Sequence, residues 1–303
     1  MSYYNVLHDL FLDKISTVIA GGQNDIYLSD VEVLNEEKEC KVTSLSAAIV
    51  SPSLFQHKEN LLLCGGKNHE KECFQLQNDT WSNFNSLIQK RRSASIVSMR
   101  SQSYILGGAL SKTTSEVLHH YNNSWQQGPE IPNYGFMNGC GVKLSDDEIL
   151  IIGGYDSETR ILKLIVHNNT WQEVPIELTF GRDSHRCIVF NKQIIITGGD
   201  GLDYHALNST EIIDFGDGEL KMIKGGDLNQ KRSAHGMGII NLINDEPTVI
   251  AFGGYNDFND KFLDTVEVWN DTSKTWTLSP KIRLSQTKAT FGFATVPTEL
   301  ICP

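Results

Sequence analysis

The sequence lacks the marks of several protein classes. It has no apolar run of about 18 residues, so no helix is expected to span a membrane. Basic residues are too few for a nucleic-acid surface, because 26 Lys and Arg are outnumbered by 37 Asp and Glu. The N-terminal segment has no basic stretch, and Asp9 and Asp13 interrupt its apolar residues, so it does not read as a secretory signal. We therefore expect a cytoplasmic protein with neither nucleic acid nor membrane as a partner.

Cysteine is sparse and has neither zinc-binding nor disulfide-like spacing. The six cysteines are Cys40, Cys64, Cys73, Cys140, Cys187 and Cys302. Without a C-x-x-C pair or a suitable histidine spacing, we expect reduced thiols within strands and no metal or other cofactor. Cys64 and Cys73 flank a predicted turn and could approach each other, yet both are expected to be reduced. Five N-x-[ST] sequons occur, at Asn78, Asn122, Asn168, Asn208 and Asn270. Without a signal peptide they carry little weight.

What the sequence does contain is a repeat. A short apolar run ending in Gly-Gly occurs six times, at intervals of 42 to 55 residues. The pairs are Gly21–Gly22, Gly65–Gly66, Gly107–Gly108, Gly153–Gly154, Gly198–Gly199 and Gly253–Gly254. Self-similarity at such a period is typical of repeat architectures, so the fold is expected to be built from six copies of one unit.

Each repeat predicts four short strands, which we call a, b, c and d. Strand b is the apolar run before Gly-Gly, and strand c is an alternating segment such as SEVLHHY. Strand d carries a tryptophan in four repeats: Trp81, Trp125, Trp171 and Trp276. Strand a, which opens the next repeat, is rich in small residues that suit crowding around one axis. Four-stranded units repeated radially predict an all-β, six-bladed propeller with the tryptophans packed between blades.

This pattern resembles the kelch repeat: an apolar run, Gly-Gly, an alternating strand, a tryptophan, and a basic residue opening the next strand. The resemblance covers residues 15–297, although Cys40 and Leu220 stand near the tryptophan position in blades 1 and 5. We expect a single propeller domain over 15–303, preceded by an appendage over 1–14. No BTB or BACK region precedes the repeats in this sequence, so a ligase-adaptor role would need that region on another chain.

The two ends of the sequence suggest how the ring closes. Residues 288–297 look like a strand a with no strand b after them, and residues 15–20 look like a strand b. We expect the C-terminal segment to supply the innermost strand of blade 1, so that no edge is left unpaired. The alternative is that residues 3–8 supply it.

One end of the propeller carries the candidate binding residues. The strand order places the d–a and b–c loops together around one mouth of the central channel. The candidates there are Arg92, Ser93, Tyr134, Tyr155, Arg182, Ser184, Arg232, Ser233 and Tyr255. The arginine guanidinium can bind a carboxylate with two hydrogen bonds, and tyrosine offers a large, rigid side chain for contact with a partner. Alternatively the arginines pair with loop acids such as Asp183, Asp200 or Asp257. We expect His185 and His235 to pack near the axis.

These residues favour binding of a protein or peptide, with an acidic segment as one candidate. The resemblance implies this too, because metazoan kelch domains that recruit substrates for ubiquitin ligation hold acidic peptides at such positions. Actin binding is the first alternative. The second is an enzyme, since the family includes copper radical oxidases, sialic acid mutarotases and iron-dependent nitrile specifiers. No catalytic motif is found, and no oxidase-like arrangement of His, Tyr and Cys, so we do not expect an enzyme.

Overall fold

The structure, a computed structural model, describes residues 14–35, 40–132, 135–156, 158–242 and 246–302. These residues form six antiparallel sheets, which are the blades, and two small hairpins in loops. The a strands of neighbouring blades contact each other in a closed cycle from blade 1 to blade 6 and back. The prediction of a six-bladed all-β propeller is confirmed.

The strand bounds follow the repeat. The a strands of blades 1 to 6 are Gly292–Pro297, Ser53–His57, Ser95–Ser98, Cys140–Lys143, Arg186–Phe190 and Gly236–Asn241. The b strands are Ile15–Ala20, Asn60–Cys64, Gln102–Leu106, Glu148–Ile152, Gln193–Thr197 and Pro247–Phe252. The c strands are Val31–Leu34, Cys73–Gln77, Ser115–His119, Ile161–Ile165, Thr210–Asp214 and Thr265–Asn270. The d strands of blades 2 to 6 are Thr80–Phe84, Ser124–Gln127, Thr170–Glu173, Lys221–Lys224 and Thr275–Arg283.

The remaining elements are short. Arg182–Asp183 pairs with Asp200–Gly201, and Tyr255–Asn256 pairs with Lys261–Phe262. The described residues also contain three 3-10 turns: Val166–Asn168, Asp257–Asn259 and Thr298–Leu300. None of these described turns has the length that a membrane-crossing helix needs.

The small residues of the a strands are required by the neighbouring blade. Gly238 lies in strand a of blade 6, and a Cβ there would come within 2.1 Å of Thr17 Oγ1 in blade 1. The b strands, by contrast, are buried on both faces, which explains why they are continuous apolar runs. The blades therefore pack through b strands that provide the core and through a strands that permit close approach to the axis.

The tryptophans hold neighbouring blades together, as predicted. Trp125 and Trp276 are buried, and Trp81 is half-buried. The indole N–H of Trp81 donates to the Thr43 carbonyl at 2.8 Å, and that of Trp125 donates to the Asn85 carbonyl at 3.0 Å. Each bond reaches back to the segment before its own blade, so the d strand fixes the spacing between adjacent blades.

The C-terminal strand closes the ring. Ile15–Ala20 pairs antiparallel with Gly292–Pro297 over six residue pairs, from Ile15 with Pro297 to Ala20 with Gly292. The prediction of C-terminal closure is confirmed. Blade 1 has three strands among the described residues, and residues 36–39 lie outside the description. The alternative that used residues 3–8, and most of the 1–14 appendage, also lie outside it, so the domain boundary stays a prediction.

The expectation of reduced cysteines is wrong in this structure. All six are paired in disulfides: Cys40–Cys302, Cys64–Cys73 and Cys140–Cys187. The register explains one pair, because Cys64 and Cys73 face each other on strands b and c of blade 2. The other two pairs join parts of the chain that are 262 and 47 residues apart in sequence. Spacing along the chain could not reveal them, because the contacts are made by ring closure and by adjacent a strands.

Candidate partner-binding face

The Gly-Gly pairs join the b–c loops to the d–a loops at one end of the channel. Gly107 has φ 60°, and a Cβ there would lie 1.9 Å from the carbonyl oxygen of Phe136 in the next d–a loop. The N–H of Gly108 donates to that same oxygen at 2.8 Å. Only glycine permits this approach. The same contact recurs in every blade, so the d–a and b–c loops form one continuous face, which we call the mouth face.

A ring of backbone hydrogen bonds surrounds the channel opening on this face. Its members are Ser51, Ser93, Asn138, Ser184, Ala234 and Thr290, one from each d–a loop. Each N–H donates to the carbonyl of the member before it, at 2.6 to 3.2 Å, and the last bond runs from Ser51 to Thr290. All six have φ between 48° and 57°, a conformation that non-glycine residues rarely adopt. We call this arrangement the mouth ring.

Two predicted binding residues, Arg182 and Arg232, lie inside the protein. Both side chains have no exposed surface, and each donates from Nη2 to a carboxylate of strand c at 2.7 Å: Arg182 to Glu211 and Arg232 to Glu267. Their Nη1 atoms also bond the carbonyl of the first glycine of a Gly-Gly pair, at 2.9 and 2.7 Å. A side chain with no exposed surface cannot contact a partner, so this assignment is corrected. The alternative, that these arginines form structural ion pairs, is correct, but their partners are glutamates of strand c and not Asp183, Asp200 or Asp257.

The same pair occurs in two more blades. Arg91 is fully buried and donates to Glu116 at 2.7 Å, and the Lys288 ammonium lies 2.6 Å from Glu32. Burial lowers the pKa of the Arg91 guanidinium, and the nearby Glu116 carboxylate opposes that shift. Each glutamate also accepts backbone N–H groups from the d–a loop, as Glu116 does from Ile88. The ion pair therefore ties the d–a loop, the Gly-Gly turn and strand c of one blade together.

Blades 2 and 4 replace the ion pair with apolar residues. At the two equivalent positions stand Ile49 and Phe74 in blade 2, and Phe136 and Leu162 in blade 4; each pair belongs to one apolar cluster. The cation and the glutamate thus occur together in four blades and are absent together in the other two. Such joint occurrence across the repeats is the sequence signal that identifies these pairs.

Arg92 is one position later than the buried arginines. It is equivalent to Asp183 and Ser233, and its carbonyl accepts from the N–H of Ala109 at 2.8 Å. Its side chain is half-buried at the mouth. No hydrogen bond or ion pair holds the guanidinium within the described part of the chain. Arg92 is therefore a cation that a ligand can reach, unlike the other two arginines of the prediction.

The remaining predicted residues differ in accessibility. Ser93 and Ser184 are half-buried members of the mouth ring. In the b–c loops beside it, Tyr255 is half-buried and Tyr155 is exposed. Ser233 is only 4% exposed, so it is not available for direct contact. Tyr134 lies outside the described residues. The structure thus brings five accessible side chains to one face: Ser93, Ser184, Tyr155, Tyr255 and Arg92.

Two carboxylates of blade 5, Asp183 and Asp200, lie at the mouth two blades further along the ring than Arg92. Burial raises the pKa of Asp200 to about 6, the hydroxyls of Ser233 and Ser184 counter this shift, and the neighbouring Asp183 adds to it. Burial also raises the pKa of Asp183, whose carboxylate accepts from Ser184 Oγ at 2.6 Å. The mouth therefore carries a cation without a partner among the described residues at blade 3 and crowded carboxylates at blade 5.

The b–c loops of blades 5 and 6 are longer than those of the other four blades. They are linked by an ion pair between His205 and Asp257, and Asp257 also accepts from the N–H of Ala206 at 2.8 Å. Tyr204 is 72% exposed and Phe258 is 80% exposed at the tips of these loops. The sequence analysis did not identify these two aromatic side chains as candidates.

The axis-proximal histidines are buried, as predicted. His185 and His235 have no exposed surface, and burial, followed by the charge of a nearby arginine, holds the pKa of each well below its ordinary value. They are therefore neutral. In the described ranges no group of His, Cys, Asp or Glu has an arrangement that would hold a metal ion.

Comparisons with known proteins agree with this architecture. The Kelch motif family model matches residues 246–281, which span most of blade 6. Among solved structures, 691 chains match, including that of YjhT. YjhT is 14% identical, with a TM-score of 0.66, and the match covers 81% of this chain and 87% of YjhT. No curated protein matches. At this identity the structural likeness concerns the fold alone.

Proposed function

Because the chain is a kelch-type six-bladed β-propeller, a fold that commonly serves in protein interaction, we propose that it binds a protein partner with its mouth face. Twelve large apolar side chains are exposed in the described part of the chain, and nine of them lie in d–a or b–c loops. The nine are Ile26, Tyr27, Ile88, Leu110, Tyr155, Phe180, Leu202, Tyr204 and Phe258. This concentration on one face is the observation that carries the proposal, because exposed apolar residues grouped together mark interaction surfaces.

The other exposed apolar residues are spread over the rest of the propeller. They are Tyr121, Ile223 and Leu278, in one c–d turn and two d strands. The two faces therefore differ in the number of aromatic and aliphatic anchors that a partner could bury. Buried aromatic anchors supply most of the binding free energy in protein interfaces.

The charges at the mouth suggest what part of the partner binds there. Arg92 is reachable and unpaired among the described residues, so it would hold a carboxylate by a bidentate contact. The net charge of −11 repels an acidic ligand at long range, so this contact must act at short range. We propose that an acidic segment of the partner lies against Arg92 while apolar residues pack on the loops of blades 5 and 6.

A matched pair of single variants tests the proposal. Tyr204→Ser removes a 72% exposed aromatic from the mouth face, and Tyr121→Ser removes a 79% exposed one from the opposite face. Neither side chain is part of the core, so both variants should keep the melting temperature of the parent. Partners captured by the parent and by Tyr121→Ser should be lost or bound about ten- to hundredfold more weakly by Tyr204→Ser. Equal capture by both variants would contradict the proposal.

A second pair tests the acidic segment. Arg92→Ala should weaken the same partner about tenfold or more, because a charge-assisted hydrogen bond contributes roughly 1.5–3 kcal/mol. Arg100→Ala, at an exposed position in an a–b turn on the other face, should bind like the parent. If Arg92→Ala binds normally while Tyr204→Ser does not, the face is correct and the acidic segment is wrong.

The identity of the partner is a finer proposal. Recruitment of a substrate for ubiquitin ligation and binding to actin both fit a propeller face, and both require contact with the cytosol. A second class of function, acid–base chemistry on a small molecule, is favoured by the raised pKa of Asp200 at the channel mouth. Asp200→Asn would abolish such chemistry and leave capture of a protein partner unchanged.

A further inference from the structure

The three disulfides bear on where the protein resides. Every cysteine of the chain is paired, and Cys40–Cys302 links the first blade to the end of the chain. Disulfides persist in oxidising environments and are rare in the cytosol, where thiols are kept reduced. The prediction of a cytoplasmic protein depended in part on reduced cysteines, so the disulfides remove that support.

Four of the five sequons occupy equivalent places in the fold. Asn78, Asn122, Asn168 and Asn270 lie in or beside the c–d turns of blades 2, 3, 4 and 6. All four are exposed, and all lie on the face opposite the mouth ring. An N-linked glycan is bulky and must project into solvent, which these turns permit. Asn208 differs, because it is half-buried and its Nδ2 donates to the Leu228 carbonyl at 3.2 Å.

The exposed sequons also leave the reacting atom available. The side-chain oxygen of Asn122 accepts from Ser124 Oγ at 2.8 Å and from the Ser124 N–H at 3.1 Å. The side-chain oxygen of Asn168 accepts from the Thr170 N–H at 3.1 Å. In both turns the amide nitrogen has no hydrogen-bond partner in the described residues. The side-chain oxygen thus stabilises the turn, and the amide nitrogen faces solvent. A glycan is attached to this nitrogen.

We propose that the chain is an N-linked glycoprotein of an oxidising compartment, with glycans at Asn78, Asn122, Asn168 and Asn270 and none at Asn208. In the attachment step Nδ2 forms a bond to C1 of a sugar carried by a lipid diphosphate. The bond from C1 to the diphosphate oxygen breaks, the diphosphate leaves with the electron pair, and a base takes one amide proton. In disulfide formation each thiol pair gives two electrons and two protons to the disulfide of an oxidoreductase, which becomes a dithiol.

Glycans at these four positions would leave the mouth face clear. Because they would cover the c–d turns, a protein partner would be directed toward the d–a and b–c loops. The cytosolic candidates, actin and a ubiquitin-ligase scaffold, would not meet such a protein. The inference is independent of the proposed function, since glycans and disulfides are measured without any partner.

Peptide mapping of the protein purified from the organism that makes it tests the inference. After alkylation without reduction, no cysteine should be alkylated and three cross-linked peptides should be found. Enzymatic deglycosylation in heavy-oxygen water should convert Asn78, Asn122, Asn168 and Asn270 to labelled aspartate and leave Asn208 as asparagine. Alkylated cysteines, or unmodified asparagine at the four exposed sequons, would overturn the proposal.

Two variants of the chain secreted from eukaryotic cells separate attachment from folding. Ser124→Ala removes the hydroxyl of one sequon but keeps its asparagine, so it should remove one glycan and leave the melting temperature nearly unchanged. Asn208→Gln is the control and should leave the glycan mass of the protein unchanged. Loss of a glycan in Asn208→Gln, or no loss in Ser124→Ala, would contradict the assignment of sites.

Discussion

The backbone N–H of Ser51 donates to the carbonyl oxygen of Thr290 at 2.6 Å, and this hydrogen bond completes the mouth ring. Thr290 belongs to the C-terminal segment and Ser51 to the loop that enters blade 2. The same segment then continues into the innermost strand of blade 1. Closure of the propeller and construction of the mouth face therefore depend on one stretch of chain.

Deleting residues 288–303 should prevent folding. The deletion removes Lys288, Thr290, the a strand of blade 1 and Cys302, so it exposes the apolar edge of strand b. We expect aggregated or molten protein by gel filtration and near-ultraviolet circular dichroism. Deleting residues 1–12 should cost far less. The opposite result, with the N-terminal deletion unfolding the protein, would contradict closure by the C-terminus.

The disulfide between Cys40 and Cys302 should stabilise the closed ring. Replacing both by alanine should lower the free energy of unfolding by about 2–5 kcal/mol, because the cross-link constrains an unfolded chain over a 262-residue separation. Replacing Cys140 and Cys187, which are 47 residues apart, should cost less for the same reason. Denaturant unfolding measures both losses. No loss in the first variant would show that the two ends are not joined.

The buried pair of Arg91 and Glu116 should behave as a unit. Arg91→Ile alone should cost about 3–5 kcal/mol, because it leaves the carboxylate buried without its cation. The double variant Arg91→Ile plus Glu116→Phe copies the apolar pair of blade 2 and should be more stable than Arg91→Ile. A double-mutant cycle of unfolding free energies measures the coupling. Additive losses would mean that the two side chains do not stabilise each other.

The fold could be predicted from the sequence because the same pattern of four strands and a Gly-Gly pair recurs six times. The buried arginines were harder, since the phrase KRRSA contains Arg91 and Arg92 side by side and nothing local tells which one is buried. Only comparison among repeats, in which Arg91 accompanies Glu116, separates them. The exposure of Tyr204 and Phe258 could not be predicted, because the conformation of a long loop depends on contacts such as that of His205 with Asp257.

The raised pKa of Asp200 predicts a pH dependence of stability. The folded protein binds a proton at Asp200 with a pKa of about 6, above its unfolded value, so this contribution to stability is full below about pH 4 and is lost as pH rises to about 6. Asp200→Asn should remove this dependence and raise stability at pH 7 by about 1–3 kcal/mol. Thermal melts between pH 4 and pH 7 test it. A parent whose stability rises through that window in the same way as the variant would contradict the assignment.

Hydrogen exchange of the free and partner-bound protein tests the central claim most directly. Binding at the mouth face predicts slower exchange in the b–c loops of blades 5 and 6, residues 198–209 and 253–264, and in the d–a loop 85–94. The c–d turns at residues 120–123 and 166–169 should exchange at the same rate in both states. Protection confined to those turns or to the outer d strands, with unchanged exchange at the mouth, would contradict the account.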